Sequence, residues 1–78
     1  MTEIEKEIAA LTARIDARGA DADALYHRGM LYWKLGRRGA AMSDYAAAAA
    51  IDPASPAAAA LEQARSIMDF YDRNLYNP

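Results

Sequence analysis

The chain contains no cysteine and a single histidine, His27, among its 78 residues. Disulfide bonds are therefore excluded, and so is a metal site built from cysteine and histidine, because such a site needs several ligands. A glycine-rich loop of the kind that holds phosphates is also missing. We therefore expect neither a bound metal nor a cofactor. Because a chain this short buries only about 60% of its unfolded surface, we expect helix propensity and self-association to supply the missing stability.

An excess of basic charge is also missing. The net charge is −2, and acidic and basic residues are interspersed without a run of one sign. Because a nucleic-acid-binding surface gains most of its affinity from a basic face, we expect no nucleic acid partner. Neither a signal peptide nor a membrane-spanning segment is found, and residues 2–7 are acidic and amphipathic. These absences favour a cytoplasmic protein with no membrane partner.

Alanine is what the sequence has in abundance, with uninterrupted runs at 46–50 and 57–60. Alanine loses no side-chain entropy in a helix and is the strongest helix former. Segments that alternate β-branched and polar residues, as strands do, are not found. The composition therefore predicts an all-α fold.

The first helix is predicted over residues 2–18. Thr2 and Glu5 have the spacing of a capping box, in which each side chain bonds the free amide of the other residue. Large apolar residues then recur every three or four positions, which is the period of one helix face. They are Ile4, Ile8, Leu11 and Ile15.

Two further helices are predicted around the glycines near the middle of the chain. Asp21 or Asp23 is the N-cap of the second helix, which ends at residue 35 with Gly36 as its C-cap. The third helix covers residues 39–51. It ends at Asp52, because the following proline disfavours a helical conformation in the residue before it.

The fourth helix is predicted over residues 56–73. Ser55 has the type and position of an N-cap, and Pro56 suits the first helical position, where its missing N–H costs nothing. The connections between the four helices are short, and short connections join antiparallel neighbours. The sequence therefore predicts four antiparallel helices.

The second and third predicted helices carry small and aromatic residues at fixed spacing, followed by a proline. These are Leu25, Arg28, Gly29, Tyr32, Ala41, Tyr45 and Pro53. With this spacing, residues 22–55 resemble a tetratricopeptide repeat. The family pattern is a tryptophan-like residue, Leu-Gly and Tyr in the first helix, then Ala, an aromatic residue and a closing Pro in the second. Leu25 and Arg28 depart from the residue types of that pattern.

The resemblance implies one domain over residues 1–78, with a repeat-like helical hairpin and two flanking helices. One repeat length of about 34 residues places the apolar positions of the first helix on those of the third. The first helix thus resembles the second half of a preceding repeat. The fourth helix fits the pattern poorly and is interpreted as a terminal capping helix.

In this family the first helix of each repeat lines a concave groove that binds peptides. Carried over by position, the resemblance implies a partner-binding face on the second helix. Two interpretations of its apolar residues stay open, because the fourth helix either covers them as core or leaves them exposed for a partner. The residues of the face are Asp23, Tyr26, His27, Met30, Trp33 and Lys34.

The C-terminal end is richer in aromatic residues than a disordered end would be. On one interpretation Tyr71 and Leu75 complete the core of the domain. On the other, Phe70, Leu75 and Tyr76 contact a second subunit.

The leading hypothesis is a non-catalytic protein–protein interaction module that associates with itself as a homodimer. One alternative is a monomeric groove that binds a peptide or helix, as an adaptor or co-chaperone would, and another is an accessory subunit of a larger enzyme complex. We do not expect an enzyme, because no serine has a histidine at a suggestive spacing. Asp69 and Asp72 have the spacing of an ordinary solvated helix face.

Overall fold

The structure is a computed structural model that describes the backbone of residues 1–76 and the side chains of residues 1–70. Within these residues it contains four helices and no strand, so the all-α prediction is confirmed. The helices are α1 (Glu3–Arg18), α2 (Ala22–Lys34), α3 (Arg38–Ile51) and α4 (Ala57–Tyr76). The predicted helix boundaries agree with the structure to within about one residue, with one exception. Helix α4 continues past its predicted end at residue 73 and ends at Tyr76. None of the helices in this part of the chain combines the length and apolar character that crossing a bilayer requires.

Helix α1 begins with the predicted capping box. The hydroxyl of Thr2 accepts a hydrogen bond from the Glu5 amide at 3.1 Å. The Thr2 amide in turn donates to the Glu5 carboxylate at 3.2 Å. Two amides at the helix start that have no partner within the helix are thereby satisfied. The apolar face that follows contacts the rest of the protein, since Ile8 is buried and Ile15 packs against the core.

Helix α2 begins at an aspartate N-cap and ends at a glycine. Of the two candidate N-caps, the structure selects Asp21, whose carboxylate accepts a hydrogen bond from the Ala24 amide at 2.8 Å. After the last turn, the Gly36 amide donates to Trp33 O at 3.0 Å and the Arg37 amide to Tyr32 O at 2.9 Å. This pair of bonds is the Schellman motif, with glycine one position beyond the C-cap. Gly36 has φ 77°, which a residue with a side chain rarely adopts.

The helices pack mainly in chain order, with α1 against α2, α2 against α3, and α3 against α4. Helices α2 and α3 form the central antiparallel hairpin and share the most extensive contact. Alanine makes this close packing possible, because Ala41, Ala48 and Ala57 are completely buried and bring little side-chain volume. Ser55 caps α4 as predicted, since its hydroxyl accepts a hydrogen bond from the Ala57 amide at 3.1 Å. The core thus lies between α2, α3 and the start of α4.

Candidate functional site

The predicted partner-binding face lies on one side of α2, and its residues differ in exposure. Asp23, His27 and Lys34 are exposed. Met30 is 36% exposed, whereas Tyr26 and Trp33 are half-buried and pack against the core. Neither of the two interpretations therefore holds for the whole face. Its aromatic residues contribute to the core, and Met30 remains accessible.

A cleft of about 130 Å³ lies beside this face, where α2, α3 and α4 meet. Its walls combine aromatic and aliphatic groups with one amide side chain, and none of the lining residues is charged. The lining residues are Trp33, Tyr45, Ala60, Gln63, Ala64 and Ile67. Helix α4 thus forms one wall of an open cleft, in addition to covering the end of the hairpin.

Tyr45 of α3 holds a central position under the cleft. It is only 5% exposed, and its ring centroid lies 5.9 Å from that of Tyr26. Gly29 of α2 makes room for the ring, because a Cβ at that position would lie 2.7 Å from Tyr45 Cε1. Burial raises the pKa of the Tyr45 hydroxyl above its ordinary value, and the nearby Tyr26 raises it further. The hydroxyl is therefore protonated at neutral pH and able to donate a hydrogen bond.

The guanidinium group of Arg38 packs on the ring of Trp33, near the turn between α2 and α3. The guanidinium carbon of Arg38 lies 5.0 Å from the centroid of the Trp33 ring, within the range of a cation–π interaction. The indole that forms part of the cleft wall therefore contacts both this guanidinium and the core. Lys34 lies beside it on the exposed surface of α2.

A buried ion pair on the other side of α2 holds three helices together, and sequence reasoning missed it. Arg28 donates to both carboxylate oxygens of Asp44, from Nε at 2.7 Å and from Nη2 at 2.8 Å. Its Nη1 donates to the hydroxyl of Thr12 on α1 at 3.1 Å. The hydrogen bonds to Asp44 are the main reason why the pKa of Arg28 is raised. The charged residue that replaces the expected leucine therefore fixes the packing of α1, α2 and α3.

The predicted self-association residues lie on α4 near its C-terminal end. Phe70 is 64% exposed and Ile67 is 40% exposed, so an apolar surface does lie on this helix. The side chains of Leu75 and Tyr76 lie outside the described residues. The part of the prediction that the structure describes is thus an exposed aromatic residue one turn beyond the cleft.

No group of three or more metal-binding side chains is found among residues 1–70. His27 is exposed on α2, and within the described side chains its imidazole makes no hydrogen bond or ion pair.

Comparison with known proteins gives one match. Residues 22–55 match the family model described as tetratricopeptide repeat. These residues comprise α2, α3 and the turn after α3, the segment for which the sequence predicts the repeat. Among curated proteins and solved structures, no protein matches this chain.

Proposed function

We propose that this chain, a tetratricopeptide repeat protein whose repeat spans residues 22–55, is a non-catalytic interaction module that also associates with itself. Repeats of this family generally mediate protein–protein interaction. We take residues 1–78 as one domain, because α1 and α4 pack directly on the two helices of the repeat. Its docking surface is the face of α2 together with the cleft and the adjoining side of α4.

The observation that carries this proposal is apolar surface beside the repeat. Met30, Ile67 and Phe70 are large hydrophobic side chains that remain accessible. Ile67 and Phe70 lie one turn apart on α4, and apolar side chains that stay exposed next to one another on a small domain are typical of interaction sites. A second copy is the proposed partner, because two-fold pairing is the commonest way to cover a self-complementary surface.

Sedimentation velocity over a wide concentration range tests the self-association. A stable interface removes about 1,200 Å² or more of total surface, and the total accessible surface of one chain is 5225 Å². We expect the sedimentation coefficient to rise with concentration toward that of a dimer. A single monomeric species up to high micromolar concentration would contradict the self-association.

A pair of matched substitutions locates the interface. Phe70→Ser removes an exposed aromatic group near the cleft, and aromatic groups contribute much of the binding energy at interfaces. Ile51→Ser removes a similarly exposed apolar group at the end of α3 that does not line the cleft. We expect Phe70→Ser, and deletion of residues 75–78, to shift the chain toward monomer. Ile51→Ser should leave the association unchanged, and equal effects of Phe70→Ser and Ile51→Ser would rule out this location.

The cleft favours a second candidate function, a monomeric groove that binds a segment of another protein. The cleft is open and lined by uncharged side chains, so it admits a neutral side chain without burying a charge. The same sedimentation experiment separates the two candidates. If the chain stays monomeric, the groove is the better explanation of the exposed apolar residues on α2 and α4.

A further inference from the structure

The turn between α1 and α2 depends on one glycine. Residues 19–21 join the two helices, and Gly19 has φ 87° and ψ 160°, a combination that is essentially restricted to glycine. A Cβ built at this position would meet nothing within 4 Å. Glycine is therefore required here for its backbone conformation, and not because another group lies close to it.

Apart from this glycine, the connection contains no residue that excludes a helix. The three prolines of the chain lie beyond it, at positions 53, 56 and 78. The neighbours of Gly19 are arginine and alanine, which are strong helix formers. The flanking backbone hydrogen bonds, from Gly19 N to Ile15 O at 2.8 Å and from Leu25 N to Asp21 O at 3.1 Å, join residues four positions apart, as a continuous helix does. With helical dihedral angles at the glycine, residues 3–34 would form one helix.

Such a long helix would remove α1 from its own hairpin. Within one chain α1 packs mainly on α2, and its apolar face includes the buried Ile8 and also Ile15, which packs against the core. Exposing these apolar groups to water is unfavourable, but α2 of a second copy offers the same surface. Thr12 and Arg28, which are hydrogen-bonded at 3.1 Å, lie eight positions before and after Ala20. Two long helices that pair antiparallel about a two-fold axis at Ala20 therefore bring these two residues together again, now between copies.

We propose that Gly19 keeps α1 on its own chain, and that two copies exchange α1 when this hinge, residues 19–21, straightens. The surface of α2 beneath α1 is then covered by α1 of the second copy. Domain swapping of this kind is a low-cost route to a dimer, because contacts within one chain are replaced by the same contacts between chains. The surface lies on the side of α2 that carries Arg28, which differs from the predicted partner-binding face. The exchange therefore goes beyond the proposed function.

Straightening the hinge breaks few interactions within it. The Ala24 amide loses its hydrogen bond to the Asp21 carboxylate, and Arg14 loses an ion pair with Asp21 at 3.5 Å, in which both side chains are half exposed. The Ala24 amide regains a partner, because in a continuous helix it bonds the carbonyl of Ala20. At low concentration the short connection holds α1 next to α2 and favours the closed chain. The exchanged dimer is therefore expected as the concentration rises.

Replacement of the hinge glycine by alanine tests the proposal. L-alanine rarely adopts the dihedral angles of Gly19 and is the stronger helix former, so Gly19→Ala should favour the long helix. We expect it to dimerise about tenfold more tightly than the chain with the native hinge, with its helix content retained in circular dichroism. Sedimentation velocity measures this in the Phe70→Ser background, where the contact proposed for α4 is weakened. A folded Gly19→Ala chain that stays monomeric to high micromolar concentration would overturn the proposal.

The matched control carries the same methyl group with the opposite chirality. Gly19→D-Ala, made by chemical synthesis, suits the positive φ of the turn, because the preferences of D-residues mirror those of L-residues. It should stabilise the closed chain and leave it monomeric. Gly39→Ala places alanine at a helical position where a Cβ meets nothing within 4 Å, and it should associate as the native hinge does. Equal association of Gly19→Ala and Gly19→D-Ala would contradict the role of the hinge.

Contacts between copies identify the exchanged helix. The Gly19→Ala chain is unfolded and refolded as a mixture of ¹³C-labelled and unlabelled copies, and isotope-filtered NOEs then select the contacts between copies. We expect NOEs from Thr12 of one copy to Arg28 of the other. A dimer in which Thr12 contacts Arg28 only within its own chain would refute the exchange. If Gly19→Ala loses its helices, the same measurement on the native chain at millimolar concentration decides, and absence of these NOEs refutes the proposal.

The two forms of self-association fail separately. If Phe70→Ser is monomeric and Gly19→Ala restores no dimer in that background, the interface on α4 is kept and the exchange is lost. If Gly19→Ala dimerises in that background while Phe70→Ser leaves the association of the native hinge unchanged, the exchange is kept and the interface on α4 is lost.

Discussion

At the scale of single residues, the hairpin of α2 and α3 depends on one position without a side chain. A Cβ at Gly29 would lie 2.7 and 2.8 Å from two atoms of the Tyr45 ring and 3.2 Å from Ala41 O. The Tyr45 ring is buried and Ala41 O belongs to the backbone, so neither can easily move away from an added side chain. Gly39 provides a contrast, because a Cβ there would meet nothing within 4 Å.

We therefore expect Gly29→Leu to destabilise the protein by about 1–3 kcal/mol, the usual cost of overpacking. Gly39→Ala is the control, and it should raise stability by up to about 1 kcal/mol, because alanine is the better helix former at an open helical position. Thermal unfolding followed by circular dichroism measures both. An unchanged midpoint in Gly29→Leu would mean that the two helices do not approach as closely as described.

The second prediction at this scale concerns the ion pair between Arg28 and Asp44. Their side chains are 17% and 8% exposed, so solvent screens the pair weakly. Arg28→Met leaves a buried carboxylate without its partner, which costs about 3–5 kcal/mol. The double variant Arg28→Met/Asp44→Leu should recover most of that loss, because no charge is then left buried. Denaturant unfolding of the three proteins tests this, and a double variant as unstable as Arg28→Met would refute the explanation.

At the scale of the helix, the start of α1 couples stability to pH. The hydrogen bond from the Thr2 amide, followed by that from the Thr2 hydroxyl, lowers the pKa of Glu5. A carboxylate with a lowered pKa in the folded state stabilises the fold above its unfolded pKa, and this contribution is lost as the pH falls through the folded pKa.

Glu5→Ala should therefore lower the thermal midpoint near neutral pH by more than it does in acid. The two melting curves should converge once the pH is below the folded pKa of Glu5, where the native carboxylate is protonated. Glu7→Ala is the control, since Glu7 lies on the exposed surface of the same helix outside the capping box. A difference between Glu5→Ala and the native protein that persists unchanged in acid would contradict the role of the charge.

The helices themselves follow from local signals in the sequence, whereas some of their contacts do not. The caps at Thr2 and Ser55 and the end of α3 at Asp52 depend on residues close in the chain, so they are readable from one sequence. Arg28 and Asp44 are separated by 16 positions, and their pairing appears only when α2 and α3 are placed side by side. The position of Arg28 within the repeat pattern was recognised, but its partner was not.

In the candidate site, too, features within one helix could be predicted from the sequence, whereas features that combine several helices could not. The face of α2 was predicted because it lies on one helix with a regular period. The cleft combines three helices, and Gln63 and Ala60 carry no local signal that distinguishes them from other residues of α4. Tyr45 was identified from the sequence as a residue of the repeat pattern, and its place in the cleft lining depends on how far α4 lies from α2. Such a distance is set by packing and is not encoded in any short motif.

At the scale of the whole molecule, the helices form a series in which neighbours in the chain are neighbours in space. Stability in such a series is the sum of the units and their interfaces. Helices α2 and α3 are each covered on two sides, whereas α1 packs mainly on α2 and α4 mainly on α3. The central hairpin is therefore expected to be the most stable part.

Hydrogen exchange measures this gradient directly. We expect the slowest-exchanging amides in α2 and α3, and faster exchange in α1 and in the part of α4 beyond Ala64, because local opening costs less where fewer contacts are broken. Measurement at a dilute concentration reports the isolated chain. Equal protection in all four helices would indicate a single cooperative unit and contradict the gradient.

The order of the helices also has a kinetic consequence. Each interface joins segments separated by only a short connection, so little chain entropy is lost when the ends of a loop come together. Proteins dominated by such nearby contacts refold in microseconds to milliseconds. The turn that carries Gly36 closes the hairpin with the most extensive contact, so α2 and α3 are expected to associate first during refolding. The outer helices then add to a surface that already exists, and the rate of refolding should respond to substitutions at Gly29 far more than to substitutions at Ile8.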